Sequence, residues 1–243
     1  MPPTRPLRKR NMAEGIARTL RVKILSGAYG VGDRLPTEQA LATEFGVNRA
    51  TLREAVKKLE MLGLVTVQQR VGIRVRDYLA DSGLELLQYL VETAALTDRL
   101  DLTLLDNLLE ARRFFYAEIA RMTAWRATDE VRAEIAACIA RVLSAEEPRA
   151  FLAADLDLVA ALARGSQNVV VRLLFNSIAA LYREHFDLFT AFYAGRLDDR
   201  RPFYAALQKA LDARDGKEAA RLVRETFDAD DGRILAIARA LVG

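Results

Sequence analysis

"FGVNRATLREAVKKLEMLGLV" spans residues 45–65. Gly46 breaks an apolar approach, and Asn48 has a side-chain oxygen able to cap a helix start. Leu52, Val56 and Leu59 then recur on one side of a helix that Gly63 ends. Arg49 and Arg53 lie four residues apart and so share another face, with Asn48 and Thr51 near the same end. The stretch predicts a helix with one side for a core and a basic front for an anionic partner.

Upstream, Ile16, Leu20 and Ile24 fall at helical spacing between Met12 and about Leu25, and the glycines and proline of SGAYGVGDRLP stop that helix. Thr37, after Pro36, opens a short second helix carrying Leu41 and Phe45. Downstream, Val65, Val67, Val71, Ile73 and Val75 alternate with polar residues, which predicts a two-stranded hairpin with Gln69 and Arg70 at its tip. Helix, helix, turn, helix and hairpin within about 65 residues make a winged helix-turn-helix.

From Ser82 onward the pattern is helical, with six or seven helices expected. Asp215 followed by Glu218 reads as a capping box, Pro202 as a helix opening and Gly195 as a stop after the long segment that begins near 167. The expected fold class is therefore mainly α: a winged helix-turn-helix over 1–76, a linker at 77–82 and an all-α bundle over 83–243.

Charge follows the same division. Residues 1–76 hold 15 Lys+Arg against 6 Asp+Glu, a balance of +9, whereas 77–243 hold 21 against 27, a balance of −6. A compact unit this basic attracts phosphates through counterion release and steering; the plainer alternative is a solubilising basic face. No apolar run reaches the ~20 residues a membrane span needs, and no apolar signal core follows the basic start, so a cytoplasmic protein with no membrane partner is expected. The single cysteine, Cys138, lies among apolar neighbours and reads as core. Trp125, near a helix end, reads as a packing plug.

In a helix-turn-helix, the first residues of the recognition helix meet base edges while their neighbours pin phosphates. Arg49 is the expected base reader, since an arginine can donate two hydrogen bonds to guanine. Thr51 and Arg53 suit phosphates, Lys57 and Lys58 add to the general field, and Gln69 and Arg70 form a wing for a minor groove or backbone. The alternative for Arg53 is an ion pair with Glu54 or Glu60.

DRLPTEQALATEFGVNRATLREAVKKLEMLGLVTVQQRVGIRV resembles the DNA-binding domain of the GntR family of bacterial transcription regulators. The all-helical remainder resembles that family's FadR branch, and DSGLELLQYL, LLDNLLEARR, LYREHF and FYAALQKAL are similar to its fatty-acid-responsive members. Asn48 stands where the family usually has serine or threonine, Gln39 where an arginine is frequent, and Arg70 where a wing glycine is usual.

The resemblance implies a homodimer on double-stranded operator DNA, modulated by a small molecule. Many members of the branch hold a metal with one aspartate and three histidines. Asp155 matches the aspartate, but Val159, Tyr204 and Thr226 stand at the histidine positions, so no metal is expected. His185, the only histidine, reads as a hydrogen-bonded residue away from such a set. The fatty-acid-responsive members bind long-chain acyl-CoA, for which Arg112, Tyr182 and Tyr204 correspond by resemblance, with Asp155 beside the same pocket.

Two features qualify that implication. Asp228 and Asp231 would repel a phosphate-bearing ligand unless paired with Arg224 or Arg233. Tyr182, Phe186 and Phe189 also recur at the spacing of ordinary core packing, and Arg112 has Asp155 as a possible ion-pair partner. A regulator responding to a different organic acid and a ligand-independent DNA-binding dimer are the alternatives. No nucleophile elbow, phosphate loop or Cys/His pairing is present to support an enzyme.

Overall fold

A computed structural model describes residues 7–97, 101–184, 186–191 and 197–242. The chain forms two compact units, Met1–Arg99 and Leu100–Gly243.

The first unit opens with α1 (Leu7–Leu25), α2 (Glu38–Glu44) and α3 (Arg49–Met61). Thr37 caps α2, its hydroxyl accepting from the Ala40 amide at 3.2 Å, and Asn48 caps α3, its Oδ1 accepting from the Thr51 amide at 2.9 Å. Both helices end on a glycine in the left-handed region, Gly46 at φ 61° and Gly63 at φ 72°. The amides of Val47 and Leu64 then reach back to the carbonyls of Ala42 and Leu59, at 2.9 and 3.0 Å, so the helix ends keep their hydrogen bonds through the turn.

Leu20, Ile24, Leu41, Leu52, Leu59 and Leu64 fill the core between these helices. Strands β1 (Val65–Gln68) and β2 (Gly72–Val75) pair antiparallel, Val65 opposite Val75 and Val67 opposite Ile73. Arg70, at the hairpin tip, adopts φ 64°. A Cβ there crowds the backbone, so a residue other than glycine carries a local conformational penalty.

The first unit runs further than the sequence implied. Past the wing come α4 (Tyr78–Asp81), a 3₁₀ turn at Leu84–Leu86 and α5 (Leu87–Leu96). Leu86 is buried in the first core, and Tyr78, Tyr89 and Leu90 pack on it. Arg21 lies 3.8 Å over the Tyr89 ring and donates to Glu92 at 2.9 Å, while Arg18 donates to Glu92 at 2.6 Å. Where the sequence places a linker at 77–82 and the bundle start at 83, α4 and α5 lie in the first compact unit, Met1–Arg99. Apolar periodicity marks a buried face without saying which core buries it.

The second unit holds α6 (Leu102–Arg126), α7 (Asp129–Ser144), α8 (Pro148–Gly165), α9 (Val169–Glu184), α10 (Phe186–Ala191), α11 (Leu197–Asp212) and α12 (Gly216–Val242). Its tightest pairings are α12 on α6 and α7 on α8. Two glycines permit close helix approach. A Cβ on Gly165 would sit 2.6 Å from Thr123 Cγ2, and one on Gly216 would sit 2.7 Å from the Arg121 carbonyl oxygen. Thr123 secures the first approach by donating to the Leu162 carbonyl at 2.6 Å.

Cys138 is buried in this core, and burial pushes its thiol above the usual range, although Arg141 acts against that rise. Asp215 does cap α12, accepting from the Glu218 amide at 3.0 Å, but the Glu218 carboxylate turns to Arg221 instead of completing a capping box. Pro202 does not open its helix: α11 begins five residues earlier, so the proline lies inside it. Trp125 is half exposed beneath Arg121, 4.6 Å from its ring, so it is not a buried plug. Of the long helix expected from about 167 to 195, the described residues 169–184 and 186–191 are helical; His185 and Gly195 lie outside the described residues.

Candidate functional site

The first unit presents the amino end of α3 at its surface, with Asn48 and Arg49 both exposed. Arg49 donates through Nε to Gln39 Oε1 on α2 at 2.6 Å. Arg53, one turn later, donates to Glu38 on α2 at 2.8 Å. Each recognition-helix arginine is therefore held by a consecutive residue of the preceding helix. Arg53 remains 67% exposed, and its ion-pair partner is Glu38, neither Glu54 nor Glu60. Glu60 accepts from the Val67 amide at 3.3 Å, and Lys58 pairs with Glu14.

Thr51 corrects the sequence reading. It is only 4% exposed, and its hydroxyl donates to Asn48 Oδ1 at 3.2 Å, so the side chain faces inward and is closed to a phosphate. Asn48 uses that same oxygen as the helix cap, which leaves its NH₂ group for an outside acceptor. Gln69 and Arg70 are exposed at the wing tip. Together these residues make a surface rich in hydrogen-bond donors on a unit of net positive charge.

The second unit also carries a group of charges in its interior. Tyr204 on α11 donates to Asp155 Oδ1 on α8 at 2.7 Å, both side chains buried. Burial raises the Asp155 carboxyl above its ordinary range; Arg200 and Arg112, together with the Tyr204 hydroxyl, act in the opposite direction. Arg112 on α6 donates to Asp231 on α12 at 2.6 Å, and Arg200 on α11 pairs with Asp230 on α12. The two guanidinium groups lie 4.7 and 5.4 Å from the ring centroid of Phe227, also on α12. Burial raises the Asp231 carboxyl as well, against the pull of Arg112.

Three of the four residues expected at an effector site, Arg112, Asp155 and Tyr204, thus meet in one interior cluster. Tyr182 instead stacks on Phe189, with ring centroids 4.1 Å apart, as the core-packing alternative had it. Arg112 takes Asp231 as its hydrogen-bonded partner where Asp155 was the sequence alternative. Asp228 and Asp231 are paired with Arg113 and Arg112 of α6, neither with Arg224 nor with Arg233; Arg233 lies 3.7 Å from Asp199. Arg200, Phe227 and Asp230 were missed, because nothing local in DDRRPF or FDADD says that those residues turn inward to face each other.

The set of one aspartate and three histidines implied by the resemblance does not fit these residues. Val159 is buried among apolar neighbours, Tyr204 gives its hydroxyl to Asp155, and Thr226 has no imidazole. Among the described residues, no group of three or more His, Cys, Asp or Glu side chains is gathered to hold a metal ion. Among the same residues, no helix is long and apolar enough to cross a membrane.

Two family models match the chain. Residues 12–75 match the family described as "Bacterial regulatory proteins, gntR family", and residues 107–229 match the "FCD domain". An uncharacterized HTH-type transcriptional regulator of Mycobacterium tuberculosis is 31% identical over 235 residues, covering 95% of this chain and 92% of that protein. A fatty acid metabolism regulator protein of Escherichia coli is 32% identical over 160 residues, covering 65% and 64%. A solved structure titled as Lar, which controls expression of the Listeria monocytogenes agr system, superposes with a TM-score of 0.56 at 16% identity over 97% of this chain and 99% of that one. With a winged helix-turn-helix followed by an FCD domain, the chain belongs to the GntR family and is a transcriptional regulator.

Proposed function

We propose that this regulator reads operator DNA with Arg49 at the amino end of α3, and that a small acidic metabolite in the helical unit sets the strength of that binding. Arg53 and the Asn48 amide meet the DNA backbone beside it, and Gln69 and Arg70 reach the flanking groove. The chain acts as a cytoplasmic homodimer, with two recognition helices on a pseudopalindromic site, and without enzymatic activity or a bound metal.

The observation that carries the effector reading is the pair of interior arginines, Arg112 and Arg200, anchored on consecutive carboxylates of α12. A ligand carboxylate or phosphate entering beside them competes with Asp231 or Asp230 for a guanidinium. The displaced α12 carboxylate then needs another partner or a proton, which favours a different placement of α12 on α6. Such a ligand changes operator affinity only by its differential affinity for the two placements.

Long-chain acyl-CoA is the first effector to test, supported by the kinship to proteins named as fatty acid metabolism regulators. The test is fluorescence-polarisation binding to the protein's own promoter DNA at fixed salt, with acyl-CoA, free CoA or small organic acids added. Release by acyl-CoA but not by CoA supports the fatty-acyl reading. Release by an organic acid alone redirects the effector within the same mechanism, and indifference to all of them contradicts ligand control by this acidic class.

A further inference from the structure

The contact between Gln39 and Arg49 bears directly on which bases this protein prefers. Arginine has donors and no acceptor, so the atom of Gln39 that faces Arg49 Nε at 2.6 Å is the amide oxygen, and the hydrogen bond fixes the amide orientation. Both residues are exposed, and α2 is anchored beneath them by the buried Leu41 and Ala42. The bond has a consequence on each side.

On the arginine, Nε is engaged, so the guanidinium meets a base end-on through Nη1 and Nη2. Those two groups match the O6 and N7 acceptors of guanine. On the glutamine, the familiar two-bond reading of adenine requires the amide oxygen to accept from N6 while the nitrogen donates to N7. That oxygen is turned toward Arg49, leaving the Nε2 hydrogens for the groove. Arg49 and Gln39 consequently act as one rigid surface of donors.

We propose that Gln39 is a specificity-determining residue: bound to Arg49, it orients the arginine for guanine and donates from its own amide to the keto oxygen of the neighbouring base, O6 of guanine or O4 of thymine, where adenine presents an amino donor. The pair selects guanine followed by guanine or thymine and disfavours adenine at the second place. The inference rests on the reading of Arg49 as the base reader and adds a second residue and a second base to it. Glu38, bound to Arg53 one turn along, supplies no donor and extends no such reading.

The experiment is selection of binding sites from a randomised 20-base-pair duplex pool by the full-length protein, comparing wild type with Arg49→Ala, Gln39→Ala and Gln39→Glu. Arg49→Ala should lose the guanine. Gln39→Ala should weaken the preference for that guanine about fivefold, near the lower end of what one base contact provides, and erase the neighbouring keto preference. Gln39→Glu keeps an oxygen for Nε and lacks the NH₂ group, so it should retain the guanine and lose only the neighbouring preference. Rescue of one position without the other separates positioning from a general loss of fold.

If Arg49→Ala loses the guanine while both Gln39 variants select the wild-type motif, the role given to Gln39 is wrong and base reading by Arg49 stands. If Arg49→Ala itself selects the wild-type motif, base reading by Arg49 fails and the inference falls with it. Thermal unfolding of each variant within about 2 °C of wild type, as expected for surface substitutions of about half a kcal/mol or less, confirms that the motif changes report recognition.

Discussion

Two pairs of arginines, one in each unit, do opposite work. In the first, Arg49 and Arg53 are held by α2 yet stay in water, where their remaining donors face outward. In the second, Arg112 and Arg200 are buried against the Phe227 ring and turned onto Asp231 and Asp230. A hydrated guanidinium held in place is ready for a partner at small desolvation cost, whereas a buried one is committed to its carboxylate. Exchange of that carboxylate for a ligand can therefore be coupled to helix movement.

The carboxylates make the same contrast. Burial pushes Glu92 in the first unit upward, but the hydrogen bonds and charges of Arg18 and Arg21 outweigh it and hold the group below its ordinary 4.5. Asp155 in the second unit goes the other way: burial dominates and raises it above 3.8. One carboxylate is stabilised as an anion, the other as an acid.

The largest test of this contrast breaks an interior pair. Asp230→Ala leaves the Arg200 charge buried without its principal carboxylate and should destabilise the second unit by about 3–5 kcal/mol in urea unfolding. Replacing the pair together, with Arg200→Met and Asp230→Leu, should recover most of that loss. Equal damage from the single and double variants would show that the pair's value is packing and not charge.

The next effect is smaller and depends on pH. Because the folded-state pKa of Glu92 is depressed, its contribution is present above the unfolded value near 4.5 and disappears as pH falls through the folded value. Glu92→Gln should therefore be less stable than wild type by about 1–2 kcal/mol at pH 7, with the gap closing on acidification. Asp155 has the reverse sign: its folded pKa is raised, so the penalty grows as pH rises above 3.8. Asp155→Asn should match or exceed wild type at pH 7, and its relative advantage should shrink toward pH 4 in the same assay. A Glu92→Gln gap that widens in acid would contradict the assigned direction.

The smallest effect is at the wing. Arg70→Gly relieves the left-handed strain of φ 64° and should raise stability by about 1 kcal/mol or less, since glycine's extra unfolded-state freedom offsets part of the relief. The same change removes an exposed cation, so DNA affinity should fall while thermal stability rises. Unchanged stability would contradict the strain at φ 64°, and unchanged DNA affinity would contradict a wing contact by Arg70.

Legibility in the sequence followed distance along the chain. Gly46 and Gly63, Asn48 as a cap and the Val65–Val75 alternation announced the recognition helix and wing, because caps, turns and strand alternation are decided within a few residues. The interior cluster was only half legible. Arg112 and Asp231 are 119 residues apart, and sequence spacing carries no information on which carboxylate an inward arginine meets. Thr51 was misplaced for a subtler reason: it shares the end of α3 that carries the arginines, but the Asn48 cap turns its hydroxyl inward. Pro202 shows a local preference overruled, since a proline suited to a helix start lies within α11.

Everything proposed for the first unit depends on Arg49 reading a base from its surface, which can be checked by experiment. That reading is tested most directly by measuring fluorescence-polarisation affinities of wild type and Arg49→Ala for the selected duplex and for a scrambled duplex, over about 50–200 mM salt. With Arg49 on a base, the preference for the selected over the scrambled duplex falls by about 1–3 kcal/mol in the variant. An unchanged preference, with only a salt slope lower by about one, would make Arg49 a phosphate contact and contradict base reading.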